Sequence, residues 1–192
     1  IYNNGSSGIS SPQIINAVFT GNVAAGSGGA IHNSGSNGTS SPQIISVTFT
    51  ENAAGTDGGA IYNNASSGIS SPQLTNSVLW GNAADRDGDE IYNSESGATP
   101  SVSHTIIEGG TGGVAGSGTA VSFANSTNLD QDPQFADSGD PSGLDDTYAT
   151  ADDGVNVGTG SPALDAGDNA AIPSGVSADI TGPGRTLDRN DD

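Results

Sequence analysis

Apolar residues in the first half of the chain fall into short clusters that alternate with polar positions and return at a fixed interval. Ile1-Tyr2-Asn3-Asn4, Ile31-His32-Asn33-Ser34, Ile61-Tyr62-Asn63-Asn64 and Ile91-Tyr92-Asn93-Ser94 recur every 30 residues. Within each period, Ile14, Ile44 and Leu74 form a second apolar column, and Phe19, Phe49 and Leu79 a third. Ser11-Pro12-Gln13, Ser41-Pro42-Gln43 and Ser71-Pro72-Gln73 mark a polar column, and Asn22, Asn52 and Asn82 another. A repeat of this size is a solenoid signature, because one unit buries its apolar face only by stacking on its neighbours.

The residues inside one period exclude a helical repeat. Each unit carries Gly, Pro, Ser and Asn, and its apolar runs are short and β-branched. Pro12 to Asn22 predicts two short strands broken at Asn16, and Ala30 to Asn33 a third. Three strands per coil predict an all-β parallel β-helix. The columns Ile1/Ile31/Ile61/Ile91, Ile14/Ile44/Leu74 and Phe19/Phe49/Leu79 are then its interior stacks. Thr20, Thr50 and Trp80 are their outward neighbours, since strand side chains alternate faces. Coils ~4.8 Å apart put equivalent residues over one another, so Asn22, Asn52 and Asn82, with the column begun by Asn3, can hydrogen-bond along the axis. Asn also suits a left-handed bend at these positions. Tyr2, His32, Tyr62 and Tyr92 predict an aromatic stack, inside or outside the coil.

The strict period fails past residue 110. Residues 1–110 are expected to form regular coils. Residues 111–192 are expected to form irregular coils and a loop-rich, acidic C-terminal cap of the same domain, with Ala120 to Phe123 as a strand. The chain opens inside a repeat without Met, as in a processed protein or a piece of a longer one, and Ile1 leaves a β edge that another coil can extend.

Charge changes this picture in one respect. The net charge is −19, with no Lys and only Arg86, Arg185 and Arg189 as fixed cations. Residues 1–84 carry only Glu51 and Asp57, so nearly all the negative charge lies beyond them. Nucleic acid is excluded as a partner, since nothing can neutralise phosphates. No stretch is apolar enough to span a membrane, and without Cys there is no disulfide framework.

The residues also carry a resemblance. Phe-Thr-x-Asn at 19–22 and 49–52, paired with Gly-Gly-Ala-Ile at 28–31 and 58–61, resembles the repeat of polymorphic outer membrane proteins. Val78 to Asn82, Gly88 to Asn93, Thr105 to Gly110, Asp132 to Phe135 and Gly160 to Gly167 follow in an order that resembles the choice-of-anchor Q proteins of bacterial surfaces. That resemblance implies a right-handed, pectate-lyase-like β-helix, exported from a bacterium and either held at the cell surface or released.

Candidate chemistry is confined to the second half. Asp137, Asp140, Asp145, Asp146, Asp152 and Asp153 lie on Gly-containing loops of the kind that offer oxygens to calcium, and Asp85, Asp87 and Asp89 form a second such turn. Asp188 to Asp192 are a third. The alternative is a set of solvated Asx turns. Arg86 is expected to pair with the carboxylates of its own turn. His32 and His104 read as packed or solvent-facing, and no catalytic constellation is visible. The expectation is a non-enzymatic extracellular or surface protein, an adhesin stalk or a self-stacking fibre subunit. Its partners would be copies of itself, stacked end to end, or other surface components or polysaccharide. A polysaccharide-binding or polysaccharide-degrading β-helix enzyme is the alternative, and would need an acidic groove in the second half.

Overall fold

The computed structural model describes residues 1–123, 126–178 and 180. The chain winds into a parallel β-solenoid of about four turns, with almost no helix. Tyr2–Asn4, Ile31–Ser34, Ile61–Asn64, Ile91–Ser94 and Val114–Gly116 line up as one five-stranded parallel ladder. The register puts Ile31 beside Ile61 and Ile61 beside Ile91, a shift of one 30-residue period. Gln13–Thr20 and Gln43–Thr50 begin a second ladder in the same register, with Phe19 opposite Phe49.

Strand count departs from expectation. Each of the first three coils adds two dipeptide strands, in the ladders Ile9–Ser10/Thr39–Ser40/Ile69–Ser70 and Val23–Ala24/Ala53–Ala54/Ala83–Ala84. The predicted break at Asn16 is a bend inside one eight-residue strand in coils one and two. It becomes a true interruption in the third coil, between Gln73–Thr75 and Val78–Trp80. The bend column is left-handed throughout, with φ of 50° at Asn16, 56° at Ser46, 55° at Asn76 and 50° at His104. A single left-handed residue turns the strand without ending the ladder on either side. The ladder amides Asn3, Asn22 and their equivalents are not among the left-handed residues. That conformation falls instead on the bend column, on Gly21, Glu51 and Gly81, which directly precede the second amide column, and on the turn columns Ser7/Asn37/Ser67/Glu95 and Gly28/Gly58/Gly88.

The three apolar columns form the core. Ile31, Ile44, Phe49, Ile61, Leu74, Leu79, Ile91 and Ile107 are almost wholly buried, each contributing about 1.5–3 kcal/mol relative to exposure. Ile14 and Phe19 are only partly covered, because the first coil has a neighbour on one side. Phe19 and Phe49 stack with centroids 5.1 Å apart. Thr50, expected outside, is fully buried, held in register between Thr20 and Trp80. The aromatic column lies on the outer face, where Tyr62 and Tyr92 are parallel to within 7° and His32 is tilted between Tyr2 and Tyr62.

Coils shorten toward the far end. Leu74 pairs with Val102, Ile91 with Val114 and Ile106 with Leu129, so the spacing drops from 30 to 28 and then 23 residues. Ala120 to Phe123 is not a strand. Val121 is nonetheless buried in the core, and Asn128 Nδ2 reaches the carbonyl of Val102 at 2.9 Å. Beyond Pro133 the chain is mostly turns, and it then doubles back along the bend column. Asn76 accepts from the Asp168 amide at 2.7 Å and donates to the Asp168 carbonyl at 2.8 Å, while Asn16 Nδ2 donates to the Ala178 carbonyl at 2.8 Å. Residues 168–178 thus form a strap from the third coil to the first.

Candidate functional site

Two features stand out on this solenoid: the amide columns, and the carboxylates that meet them. Asn3, Asn33 and Asn63 each donate from Nδ2 to the Oδ1 of the Asn one coil on, at 3.2, 2.9 and 2.8 Å, and Asn93 ends the row on the Thr119 carbonyl at 2.9 Å. The second column runs the same way, Asn22 to Asn52 at 2.8 Å and Asn52 to Asn82 at 2.7 Å. Each acceptor Oδ1 there also takes the backbone amide of the preceding Asn, at 3.2 and 3.0 Å. Asn52 and Asn82 spend their other N–H on the carbonyls of Phe19 and Phe49. The buried amides of Asn52 and Asn82 are thus fully occupied, and their backbone partners set their orientation.

The second column ends on a carboxyl group. Asn82 donates from Nδ2 to Glu90 Oε2 at 2.6 Å and from its backbone to Glu90 Oε1 at 3.3 Å, which reproduces the pattern that the next Asn would make. Glu90 occupies the column of Ala30 and Ala60 and is 1% exposed. Asn82, Asp89, Glu90 and Glu108 line a pocket of about 250 Å³ with Gly109, Gly112 and Gly113. Burial pushes the Glu90 carboxyl up to about 8, against the pull of its Asn82 hydrogen bonds, and the charges of Glu108 and Asp89 raise it further. At neutral pH this group holds its proton. Glu108 Oε2 in turn accepts from the Gly81 amide at 2.6 Å. Glu90 is absent from the candidates drawn from the sequence, although a carboxylate in an Ala column is a visible signal.

The acidic turns are arranged differently. Asp85, Asp87 and Asp89 are exposed, and Asp89 caps the Ala84 amide at 3.0 Å. Asp137 accepts from the Gly139 amide and Asp145 from the Thr147 amide, two residues on, as Asx turns. Asp140 accepts from the Ser142 hydroxyl. Asp152 accepts from the Thr150 hydroxyl, which holds its carboxyl below the usual range. Asp153 is buried and receives the Ala149 and Thr150 amides, whereas Asp146 is itself a left-handed turn residue. Among the described residues no three His, Cys, Asp or Glu side chains gather so as to hold a metal ion. Asp188 to Asp192 lie outside the described residues. Arg86 pairs across the coil with Asp57, and not within its own turn, because the two stand one coil apart along the outer face. His32 Nδ1 lies 3.2 Å from the Ser27 carbonyl, and burial lowers its pKa. No helix among the described residues is long and apolar enough to cross a membrane.

Comparison with known proteins bears on the repeat. No curated protein and no solved structure matches the chain. Two stretches, residues 16–34 and 46–64, match the Chlamydia polymorphic membrane protein repeat. They contain both Phe-Thr-x-Asn and Gly-Gly-Ala-Ile segments of the first two coils, so in its stacking unit this chain is similar to that repeat.

Proposed function

We propose that the chain is a non-enzymatic structural part of a bacterial surface or extracellular protein, a right-handed β-solenoid that lengthens by adding coils, as an adhesin stalk or a self-stacking fibre. One observation carries the reading. Apolar columns, amide columns and backbone ladders all pass from coil to coil by the same 30-residue step, so one more coil repeats contacts already made. The similarity to a surface-protein repeat and the series that resembles choice-of-anchor Q proteins both support an exported setting. Residues 111–192 then serve as the acidic cover of the far end. The enzymatic alternative draws on the acidic pocket, but Glu90 and Glu108 are engaged as acceptors for Asn82 and Gly81.

Sedimentation velocity with electron microscopy over a wide concentration range tests self-stacking. End-to-end rods are the expected outcome, and single particles at the highest concentration remove the fibre form. Calcium enters this reading as a stabiliser of the turns at 137–153, supported by the number of carboxylates there. Thermal melting in millimolar calcium against chelator tests it. A midpoint raised by several degrees supports calcium, and an unchanged one removes it.

A further inference from the structure

All three amide columns point the same way. In both Asn columns, and in the Gln column where Gln13 Nε2 donates to Gln43 Oε1 at 2.6 Å, one N–H of each amide is given to the later coil and the oxygen accepts from the earlier one, while the second N–H of Asn52 and of Asn82 reaches back to a carbonyl of the earlier coil. The far ends of the Asn columns are closed by acceptor oxygens, those of the Thr119 carbonyl and the Glu90 carboxyl group. At the near end, the oxygens of Asn3, Asn22 and Gln13 accept from no amide of an earlier coil; Asn22 and Gln13 are exposed, and Asn3 is buried. Asn3 Oδ1 receives the Ser10 hydroxyl and keeps a second lone pair. Beside these oxygens Ile1, Ile9 and Val23 are exposed by 58%, 81% and 81%.

We propose that the outer face of the first coil is a one-way interface. It accepts a coil of this same repeat only when that coil arrives with its later face, amide N–H first, over Asn3 and Asn22. The interface continues the one already built between coils one and two, where Asn3 meets Asn33 and Asn22 meets Asn52. Two first coils meeting head to head would set acceptor against acceptor where the native stack sets donor against acceptor, most rigidly at Asn3, whose oxygen is held by the Ser10 hydroxyl, leaving buried acceptors without donors. By the same rule the acceptor oxygens of a carboxyl group fit the later end of an amide column, where Glu90 stands. Neutrality of the repeat removes charge as the determinant, since residues 1–50 contain no Asp, Glu, Lys or Arg. The inference rests on the coil-addition reading above and specifies its direction.

The test lengthens the full chain by a second copy of residues 1–30 placed before Ile1. A companion chain carries Asn→Asp in that copy alone, at the two positions corresponding to Asn3 and Asn22. Hydrogen exchange of the amides of residues 1–24 is the readout. The Asn copy is expected to slow their exchange, and the Asp copy to lose at least about tenfold of that protection, because it offers acceptors to acceptors. Equal protection by both copies overturns the one-way rule while leaving coil addition standing. Protection by neither overturns coil addition itself. A two-fold dimer of the unextended chain that buries Ile1 and Ile9 also overturns the rule.

Discussion

Glu90→Gln is expected to flatten the pH dependence of stability between about pH 4.5 and 8, and to make the chain more stable than the parent at the upper end. In the unfolded chain Glu90 titrates near 4.5, and in the folded chain burial raises it to about 8. Between those values the native state binds a proton that the unfolded state does not, so stability falls as pH rises. The contribution is complete below about pH 4.5 and gone above about 8. Its size is on the order of 5 kcal/mol, since each tenfold change in proton affinity corresponds to about 1.36 kcal/mol. Gln is shaped like the protonated acid and keeps an acceptor for Asn82 Nδ2, so the substitution removes the titration without removing that hydrogen bond. Glu90→Ala restores the residue of the Ala30 and Ala60 column. It also loses the slope, but it strands the Asn82 donors and should fall below the Gln chain at every pH by about 1–3 kcal/mol. Denaturant melts of the three chains from pH 4 to 9 measure this. A Gln chain that keeps the parental slope would show that the slope belongs to another group.

Gly35→Ala should cost at least about 3 kcal/mol, the upper part of the range for overpacking, because what it strikes is backbone. An added Cβ would lie 1.8 Å from the carbonyl oxygen of Ile69 in the next coil, and Gly5 meets Thr39 in the same way at 1.9 Å. Neither oxygen can rotate aside, since both belong to ladders. The third member of the column, Ala65, shows how the problem is otherwise solved. The coil that follows it is two residues shorter, and Gly97 faces its Cβ. Gly26→Ala is the matched control: nothing lies within 4 Å of its added Cβ, so its effect should stay within about 0.5 kcal/mol. Urea unfolding of both chains makes the comparison, and equal midpoints would mean that the coils separate more easily than their ladders indicate.

Much of this was legible in the sequence wherever a residue repeated. The Ile, Phe and Asn columns, the aromatic stack though not its outer placement, and the parallel ladders all follow from one period, because each coil meets its neighbour at equivalent positions. Position 16 was also readable as a break, but not that the ladder would run through it, since a lone left-handed residue leaves no mark beyond Asn. What stayed hidden was non-periodic. Glu90 is a single departure from an Ala column, and its meaning depends on where the Asn82 amide points. Thr50 looks like any outward residue until its neighbours Thr20 and Trp80 close over it. Asp137 to Asp153 offered carboxylates in number, yet number cannot show whether they converge on a point or cap their own turns. The strap was invisible, because Asp168 and Ala178 meet partners 92 and 162 residues earlier.

That strap has a consequence for the order of assembly. The Asn3–Asn33 and Asn22–Asn52 bonds span one period and can form as soon as two coils exist. The bond from Asn16 to Ala178 closes a loop of 162 residues around the whole stack, and its docking strip, the left-handed edge from Asn16 to Asn76, exists only once three coils are in register. Loop closure of that length adds little entropy cost beyond a shorter one, yet contacts so distant in sequence form late. The strap is therefore a closing seam. It latches onto a completed stack, and a coil that had slipped by a residue would offer it no paired amide to hold.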